Sequence, residues 1–355
     1  MKKERIDSIQ ILRALAFLEI FLGHCGMKYG SGSFGVSIFM ILSGFCMAMN
    51  YLPKAAGGKM KFPSFAESVK SGIRKVKKLY PLHLIMLAIT YVVVGMPTGS
   101  KAIRRLVTDI FLLKCWKFHS EDYYSYNGVA WYLSTYLFVC IMAPYVLYLI
   151  GKLKRKVQAI GAGVVVYAVM VAVGYYLSVV TIPLGDGFAK WVTYLCPFYR
   201  ILDFSLGALL GWLCVSGEAF SSENKGMWTM MEVVTFLAVI VFEIMYIDFK
   251  PKYMGLGYTA FWTPAAMLLV LVFAKNKGWI VNVLNRKPLL WLGNISGLTF
   301  LIHQIVIRGL KMKIHREMLA EWYLPVIILL SGLITLAGAQ LYLWIERKWK
   351  DVRRG

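Results

Sequence analysis

Ten long apolar stretches dominate the sequence and restrict the folds that are open to it. They lie at residues 8–27, 34–52, 79–96, 129–150, 158–182, 192–215, 228–247, 256–274, 289–310 and 323–345. A helix needs roughly 20 mostly apolar residues to cross a bilayer. Of the 355 residues 59% are hydrophobic and only 16% are charged, which is too apolar for a soluble chain. We therefore predict an all-α, polytopic membrane helical bundle of about ten transmembrane helices, forming a single domain over residues 1–355.

Lys and Arg residues are distributed unevenly between the two sets of connecting segments. If the N-terminus is cytoplasmic, the cytoplasmic segments hold 25 of the 40 Lys and Arg residues and the outer segments hold 12. Because cytoplasmic loops are enriched in these residues, both termini and the loop 53–78 are predicted to be cytoplasmic. The same enrichment accounts for the formal net charge of +22, so no nucleic-acid partner is expected. The predicted location is the cell membrane, as a multi-pass protein of a bacterial plasma membrane.

Ionisable residues interrupt the first apolar stretch. The segment "ILRALAFLEIFLGH", residues 11–24, contains Arg13, Glu19 and His24. Charged groups at bilayer depth are costly, and they usually line a cavity or pair with one another. Arg13 and His24 are separated by about three helical turns, which places them on nearly one helix face and about 16 Å apart along the axis. We expect this face to line a cavity, with simple pairing to a neighbour as the alternative.

Further polar residues are predicted at the membrane level of His24. Trp131 begins the fourth predicted span, Arg200 and Asp203 lie in the outer half of the sixth, and His303 lies in the outer half of the ninth. These residues are candidates for an acceptor site. Arg200 and Asp203 could instead pair with each other, because residues three apart are neighbours on a helix surface. His303 could equally be a hydrogen-bonded residue of the core.

A basic cluster and a small-residue motif precede or lie within two other spans. "KSGIRKVKKLYP", residues 70–81, contains Arg74, Lys75 and Lys78, which could bind the phosphates of a donor or act as a lipid anchor and topology signal. "FGVSIFMILSGF", residues 34–45, contains Ser43, which could contact a ligand or simply permit close helix packing. The six cysteines show no CxxC pairing, so no metal site is predicted.

Together these stretches resemble the acyltransferase 3 family of integral membrane acyltransferases, of the glycan O-acyltransferase type. "LRALAFLEIFLGH" resembles the family's opening helix, with Arg13 and His24 at its arginine and histidine positions, and "FGVSIFMILSGF" is similar to its glycine–serine motif. "KVKKLYPL", "PFYRILDFSLG" and "LGNISGLTFLIHQ" resemble later motifs, so the resemblance runs from residue 8 to about 304. Lys75 and Lys78 replace paired arginines of the family, and Tyr136 replaces a glutamate that many members have.

The resemblance implies transfer of an acyl group, most often acetyl, from cytoplasmic acyl-CoA to a hydroxyl of an envelope or extracytoplasmic glycan. His24 would act as the general base and Arg13 would stabilise the donor. The remaining candidates divide into donor-binding residues (Arg74, Lys75, Lys78 and Ser43) and acceptor-binding residues (Trp131, Arg200, Asp203 and His303).

The expected partners are membrane lipid and a glycan or lipid-linked glycan acceptor. Some members of the family carry an extra extracytoplasmic hydrolase-like domain. The chain would therefore either complete the transfer itself or hand the group to a separate extracytoplasmic transfer protein. The alternative function is a secondary transporter of an anionic solute, although the sequence shows no matching halves of the kind that transporters often have.

Overall fold

Helices account for most of the residues that this computed structural model describes, which are 7–29, 31–56, 61–95, 99–180, 186–216 and 222–353. Within those ranges there is no strand. The α-helices there are α1 (Asp7–Cys25), α2 (Gly32–Ala56), α3 (Phe65–Val76), α4 (Tyr80–Val94), α5 (Ala102–Ile110), α6 (Ser120–Tyr123), α7 (Trp131–Gly151), α8 (Lys156–Val179), α9 (Asp186–Lys190), α10 (Pro197–Val215), α11 (Lys225–Lys252), α12 (Met254–Gly257), α13 (Thr263–Lys275), α14 (Trp279–Leu284), α15 (Lys287–Lys313), α16 (Arg316–Leu319) and α17 (Tyr323–Val352). Turns of 3-10 helix occupy Lys114–Trp116, Gly128–Ala130 and Ala320–Trp322, and a π-helical turn occupies Trp191–Leu195.

The predicted polytopic helical bundle is confirmed. Eight helices in the described part of the chain are long and apolar enough to cross a membrane, and each coincides with a predicted span. They are Asp7–Cys25, Gly32–Pro53, Gly128–Gly151, Lys156–Val179, Gly187–Val215, Lys225–Lys252, Lys287–Lys313 and Arg316–Val352.

Two of the ten predicted spans are not long continuous helices. The span predicted at 79–96 is the helix α4, which follows α3 after a bend of 58°. The span predicted at 256–274 is divided into α12, a series of turns and the 13-residue helix α13. A helix of 13 residues is only about 20 Å long, which is shorter than the hydrocarbon core of a bilayer. Pro264 is the second residue of α13, because a proline fits the first turn of a helix and cannot continue a preceding one.

Glycines allow the central helices to pack backbone against backbone. A Cβ atom on Gly44 of α2 would lie 1.9 Å from the carbonyl oxygen of Phe204 in α10, and one on Gly207 of α10 would lie 1.9 Å from that of Ile41. The α2–α10 contact therefore requires glycine at both positions. The predicted role of the glycine–serine motif in close helix packing is consistent with this contact.

The helices divide into a buried centre and a lipid-facing periphery. In α1 and α2, 61% and 67% of the most apolar segment is buried, whereas in α11 only 11% is. Large apolar side chains such as Val164, Ile240 and Leu333 are exposed on α8, α11 and α17, as expected for surfaces that meet lipid tails. Helix α1, which contains both Arg13 and His24, lies in the centre between α2 and α15.

Candidate active site

Two cavities lie along the buried face of α1. The first, here called the His24 chamber, has a volume of about 160 Å³ and is lined by His24, Trp131, Tyr124, Lys190, Tyr194 and Gln304. The second, here called the Arg13 chamber, has a volume of about 200 Å³ and is lined by Arg13, Ser43, Tyr132, Tyr136, Asn294 and Phe300. The predicted face of α1 therefore has one cavity at His24 and another at Arg13.

His24 is held by a chain of hydrogen bonds that fixes its tautomer. His303 is fully buried, and its Nδ1 lies 2.7 Å from the carbonyl oxygen of Phe300. A carbonyl only accepts, so His303 carries its proton on Nδ1 and its Nε2 is an acceptor. That Nε2 lies 2.8 Å from Nδ1 of His24, which must donate to it. The remaining nitrogen of His24, Nε2, therefore carries a lone pair and is free to accept a proton in the chamber.

The loop between α6 and α7 forms one wall of the His24 chamber and is anchored by a buried lysine. The ammonium group of Lys114 donates to the Asp109 carboxylate at 2.9 Å and to the carbonyl oxygens of Ser125 and Asn127 at 2.8 and 3.2 Å. The side-chain amide of Asn127 in turn donates to the carbonyl of Leu301 in α15 at 2.9 Å. This network ties the loop to the helix that carries His303.

The helix α6, which leads into this loop, is held by a carboxylate between two arginines. Arg104 donates two hydrogen bonds of 2.9 Å to Asp122, and Arg105 donates another of 3.0 Å. Burial raises the pKa of the Asp122 carboxyl, but the hydrogen bonds and charges of Arg105 and Arg104 outweigh burial and hold it below its ordinary value. Asp122 is therefore a firmly ionised anchor at neutral pH.

A π-helical turn forms the opposite wall of the His24 chamber. The wider turn at Trp191–Leu195 follows Lys190 directly and directs Lys190 and Tyr194 towards the cavity. Such turns leave backbone carbonyls without their usual partners and are frequent at functional sites. Here Thr259 donates to the carbonyl of Thr193, and Thr135 donates to that of Leu195 at 2.6 Å.

Arg200 and Asp203 support this wall and do not line either chamber. Both side chains are fully buried, and their charged groups are 2.9 Å apart. Arg200 also donates to Thr259 at 2.6 Å, the residue that caps the π-helical turn. The alternative of mutual pairing that the sequence offered is therefore the arrangement that the structure shows.

The Arg13 chamber is enclosed mainly by aromatic and small side chains. Arg13 is half-buried and donates to Gln10 of its own helix at 3.3 Å, and Ser43 donates to the carbonyl of Phe39 at 2.7 Å. Tyr136, at the position of the family's glutamate, stacks on Tyr132 with ring centroids 5.6 Å apart. The tyrosine that replaces the family's glutamate therefore lines the Arg13 chamber.

An aromatic pair separates the two chambers. Phe300 lines both cavities, and its ring lies edge-to-face on Tyr132 with centroids 5.4 Å apart. The Phe300 ring is therefore a shared wall of the two chambers.

The basic cluster lies outside both cavities. Arg74, Lys75 and Lys78 are exposed at the end of α3 and just after it, whereas Leu79, the next residue, lines the Arg13 chamber. The basic cluster therefore lies next to the Arg13 chamber in the chain, on the exposed surface.

The structure thus brings some predicted site residues together and leaves others apart. His24 and Trp131 share one chamber, with His303 behind His24, and Arg13 and Ser43 share the other. Sequence reasoning missed Lys114, Lys190 and Gln304. Lys190 stands just before an apolar segment, where a lysine is usual as a topology signal, and nothing local in the sequence marks Lys114 as buried. No group of three His, Cys, Asp or Glu side chains in the described ranges could hold a metal ion.

The fold is that of an integral membrane helical bundle, and one of its chambers holds a histidine whose Nε2 can accept a proton. The sequence model of the acyltransferase 3 family, described as an acyltransferase domain, matches residues 6–344. The chain belongs to this family, and it is a multi-pass membrane acyltransferase.

Two curated bacterial relatives are similar over most of the chain. It is 25% identical over 328 residues to the acyltransferase MdmB of Streptomyces mycarofaciens, covering 86% of this chain and 79% of that protein. It is 24% identical over 316 residues to the putative peptidoglycan O-acetyltransferase YrhL of Bacillus subtilis, covering 85% of this chain but only 48% of YrhL.

A more distant match is the regulator of hypoxia-inducible factor 1 of Caenorhabditis elegans, with 23% identity over 61% of this chain and 53% of that protein. The chain thus spans about half the length of two of these relatives. No solved structure matches it.

Proposed function

We propose that the protein transfers an acyl group, with acetyl as the expected group, from cytoplasmic acyl-CoA to a hydroxyl of an envelope or extracytoplasmic glycan. The observation that carries the proposal is the hydrogen-bond chain from Phe300 through His303 to His24. It leaves Nε2 of His24 unprotonated in a buried chamber, as a general base requires.

The chemistry follows from that tautomer. Nε2 of His24 takes the proton of the acceptor hydroxyl while the hydroxyl oxygen attacks the thioester carbonyl carbon. The carbon–sulfur bond then breaks, and the CoA thiolate leaves with the proton from His24. While His24 is protonated, its Nδ1–H remains bonded to His303, which stabilises the imidazolium.

Gln304 is the candidate for stabilising the oxyanion that forms on the thioester carbonyl. One atom of its side-chain amide is buried without a hydrogen-bond partner among the described residues. Because the oxygen and nitrogen of an amide are assigned from their surroundings, the NH₂ group can be turned towards the chamber. A donor placed where negative charge develops contributes strongly to catalysis.

The Arg13 chamber is the proposed donor site. Arg13 would bind a polar or anionic part of acyl-CoA, and the exposed cluster of Arg74, Lys75 and Lys78 would bind its phosphates at the cytoplasmic end. The separation of about 16 Å between Arg13 and His24 suits an extended pantetheine arm. Ser43 lines the wall along which that arm would lie.

The proposed orientation has both termini on the cytoplasmic side, supported by the asymmetry of Lys and Arg residues. Phe62 and Tyr29 are exposed on either side of α2, at 65% and 51%. Single cysteines at these positions, in a cysteine-free background, should react differently with an impermeant thiol reagent on whole cells. Labelling is expected at Tyr29→Cys and not at Phe62→Cys, and the reverse pattern would overturn the donor path.

The glycan acceptor and the bacterial plasma membrane are proposed from the two bacterial relatives, one of which is named as a putative peptidoglycan O-acetyltransferase. Inverted membrane vesicles that contain the protein, supplied with acetyl-CoA labelled in the acetyl group, test the function directly. Label is expected to move to glycan in a His24-dependent manner. Uptake of an anionic solute without any transfer of label would support the transporter instead.

A further inference from the structure

Two lysines lie close together at the His24 chamber, and one of them lines it. The ammonium group of Lys190, which lines the chamber, lies 4.8 Å from the ring centroid of Tyr124 and 5.8 Å from that of Tyr258. The ammonium group of Lys250, at the end of α11, lies 5.2 Å from the same Tyr258 ring and 5.3 Å from the ring of Tyr246. The two cations thus share one aromatic ring, and their charges repel each other.

No carboxylate compensates this repulsion in the part of the chain whose side chains the structure describes. The ion pairs found there involve neither Lys190 nor Lys250. Both lysines are half-buried, so the aromatic faces hold them in place and water screens them only in part. Lysines that serve only as solvated surface charge or topology signal need no such enclosure.

Two carboxylates that are close in sequence to the chamber-lining residues Ile20 and Tyr124 have other partners. Asp122 is bound by Arg104 and Arg105, and Glu19 accepts a hydrogen bond from the backbone of Ser31 at 2.5 Å. The charge of Lys190 therefore lies at the chamber, and the charge of Lys250 lies next to it on the shared Tyr258 ring. An anion placed there would remove the repulsion between them.

We propose that the acceptor carries an anionic group, a carboxylate or a phosphate, that Lys190 and Lys250 bind while its hydroxyl lies at His24. This inference rests on the proposed function, because it identifies the chemical class of the acceptor of that same site. The aromatic rings of Tyr124, Trp131 and Tyr194 supply the apolar walls for a sugar ring beside the charges. A cavity of about 160 Å³ suits one end of such a molecule and not a whole oligosaccharide.

Binding of small sugars to the purified full chain in lipid nanodiscs, measured by ligand-observed NMR without any donor, tests the proposal. The probes are methyl β-glucuronide, glucose 6-phosphate and the neutral methyl β-glucoside. At least one anionic sugar should bind about tenfold more tightly than the glucoside, which is the effect expected of one charge-assisted hydrogen bond. Preference for the glucuronide would indicate a sugar carboxylate, and preference for glucose 6-phosphate would indicate a phosphate.

Matched variants separate the site from general surface charge. Lys190→Gln and Lys250→Gln should each remove most of the anionic preference while binding of the glucoside stays the same. Lys252→Gln, which removes an exposed lysine two residues further along α11, should leave the preference intact.

Three results would overturn the proposal: equal binding of charged and neutral sugars by the parent, undetectable binding of both anionic sugars, or the same loss of preference in Lys252→Gln. Since no donor is present, absence of acyl transfer in vesicles would count against the proposed function and not against this site.

Discussion

The His24 chamber and the Arg13 chamber lie on one face of the same helix, but their functional side chains are held in opposite ways. His24 is fixed through His303, and the chamber walls are held by the networks of Lys114 and of Arg200. Arg13 has one hydrogen bond of 3.3 Å to a residue three positions earlier in its own helix. The first arrangement is preorganised, as a site for proton transfer must be, whereas the second can adjust to a long, flexible donor.

Replacement of His24 by alanine should give the largest effect of the changes considered, and the effect should be on the rate of acyl transfer. A general base contributes roughly 10²–10⁴-fold in rate, so acyl transfer in His24→Ala should fall by about that factor while acyl-CoA still binds. Acyl transfer and acyl-CoA binding are measured on the same purified samples. His315→Ala, which removes an exposed histidine at the start of α16, is the control. Near-normal turnover in His24→Ala would show that His24 is only a packing residue.

Replacement of His303 tests whether the chamber is preorganised through hydrogen bonding. In His303→Ala the Nδ1–H of His24 loses its acceptor, so kcat should fall by about 10- to 100-fold, the effect of one buried hydrogen bond left unmade. The KM for acyl-CoA should not change. His303→Gln keeps an acceptor oxygen and should restore much of the activity. Equal losses in both variants would indicate that His303 contributes only packing.

Replacement of Arg13 should instead affect the donor. Arg13→Ala is expected to weaken acyl-CoA binding about tenfold, because one charge-assisted contact is lost, while kcat at saturating donor changes little. Arg13→Lys retains the charge and should lose less. A fall in kcat without any change in donor affinity would show that Arg13 acts in the catalytic step and not in donor binding.

The sequence predicts the helical bundle well, and it also predicts a common face for Arg13 and His24. Long apolar stretches determine the spans, and the spacing of Arg13 and His24 determines their common face. The short helix α13 escapes a prediction from hydropathy alone, because 256–274 is apolar throughout and the break is indicated only by Pro264. A hydropathy pattern also cannot show which polar residues meet across helices.

Long-range contacts determine where several of the other candidate residues lie. The predicted acceptor ligands Arg200 and Asp203 form a pair behind the chamber wall, and His303 lies behind His24. Lys114 is buried because carbonyls of a loop 11 and 13 residues later surround it. These positions follow from tertiary packing between distant segments and not from local spacing.

Replacement of Phe300 should alter the boundary between the chambers. Phe300→Ala opens the aromatic pair with Tyr132, so the rate with butyryl-CoA relative to acetyl-CoA should rise about tenfold, within the range expected when a pocket gains room for methylene groups. Both rates are measured with the same acceptor. Phe198→Ala, at a site 63% exposed, is the control. An unchanged ratio would mean that the acyl group does not pass this pair.

Replacement of Asp122 should give the smallest effect, and one that depends on pH. The pKa of Asp122 is lower in the folded protein than its ordinary value, so its ion pairs stabilise the fold above that ordinary value and the stabilisation is lost as the pH falls through the folded pKa. Asp122→Asn should therefore lower stability at pH 7 by on the order of 1 kcal/mol, since Arg104 is partly exposed to solvent. The difference should shrink below about pH 4.

Thermal unfolding of parent and variant at several pH values measures this difference in stability. The control is Asp248→Asn, which changes an exposed carboxylate on α11. A difference that stays constant down to pH 3 would show that the arginines do not hold the wall of the His24 chamber through the charge of Asp122.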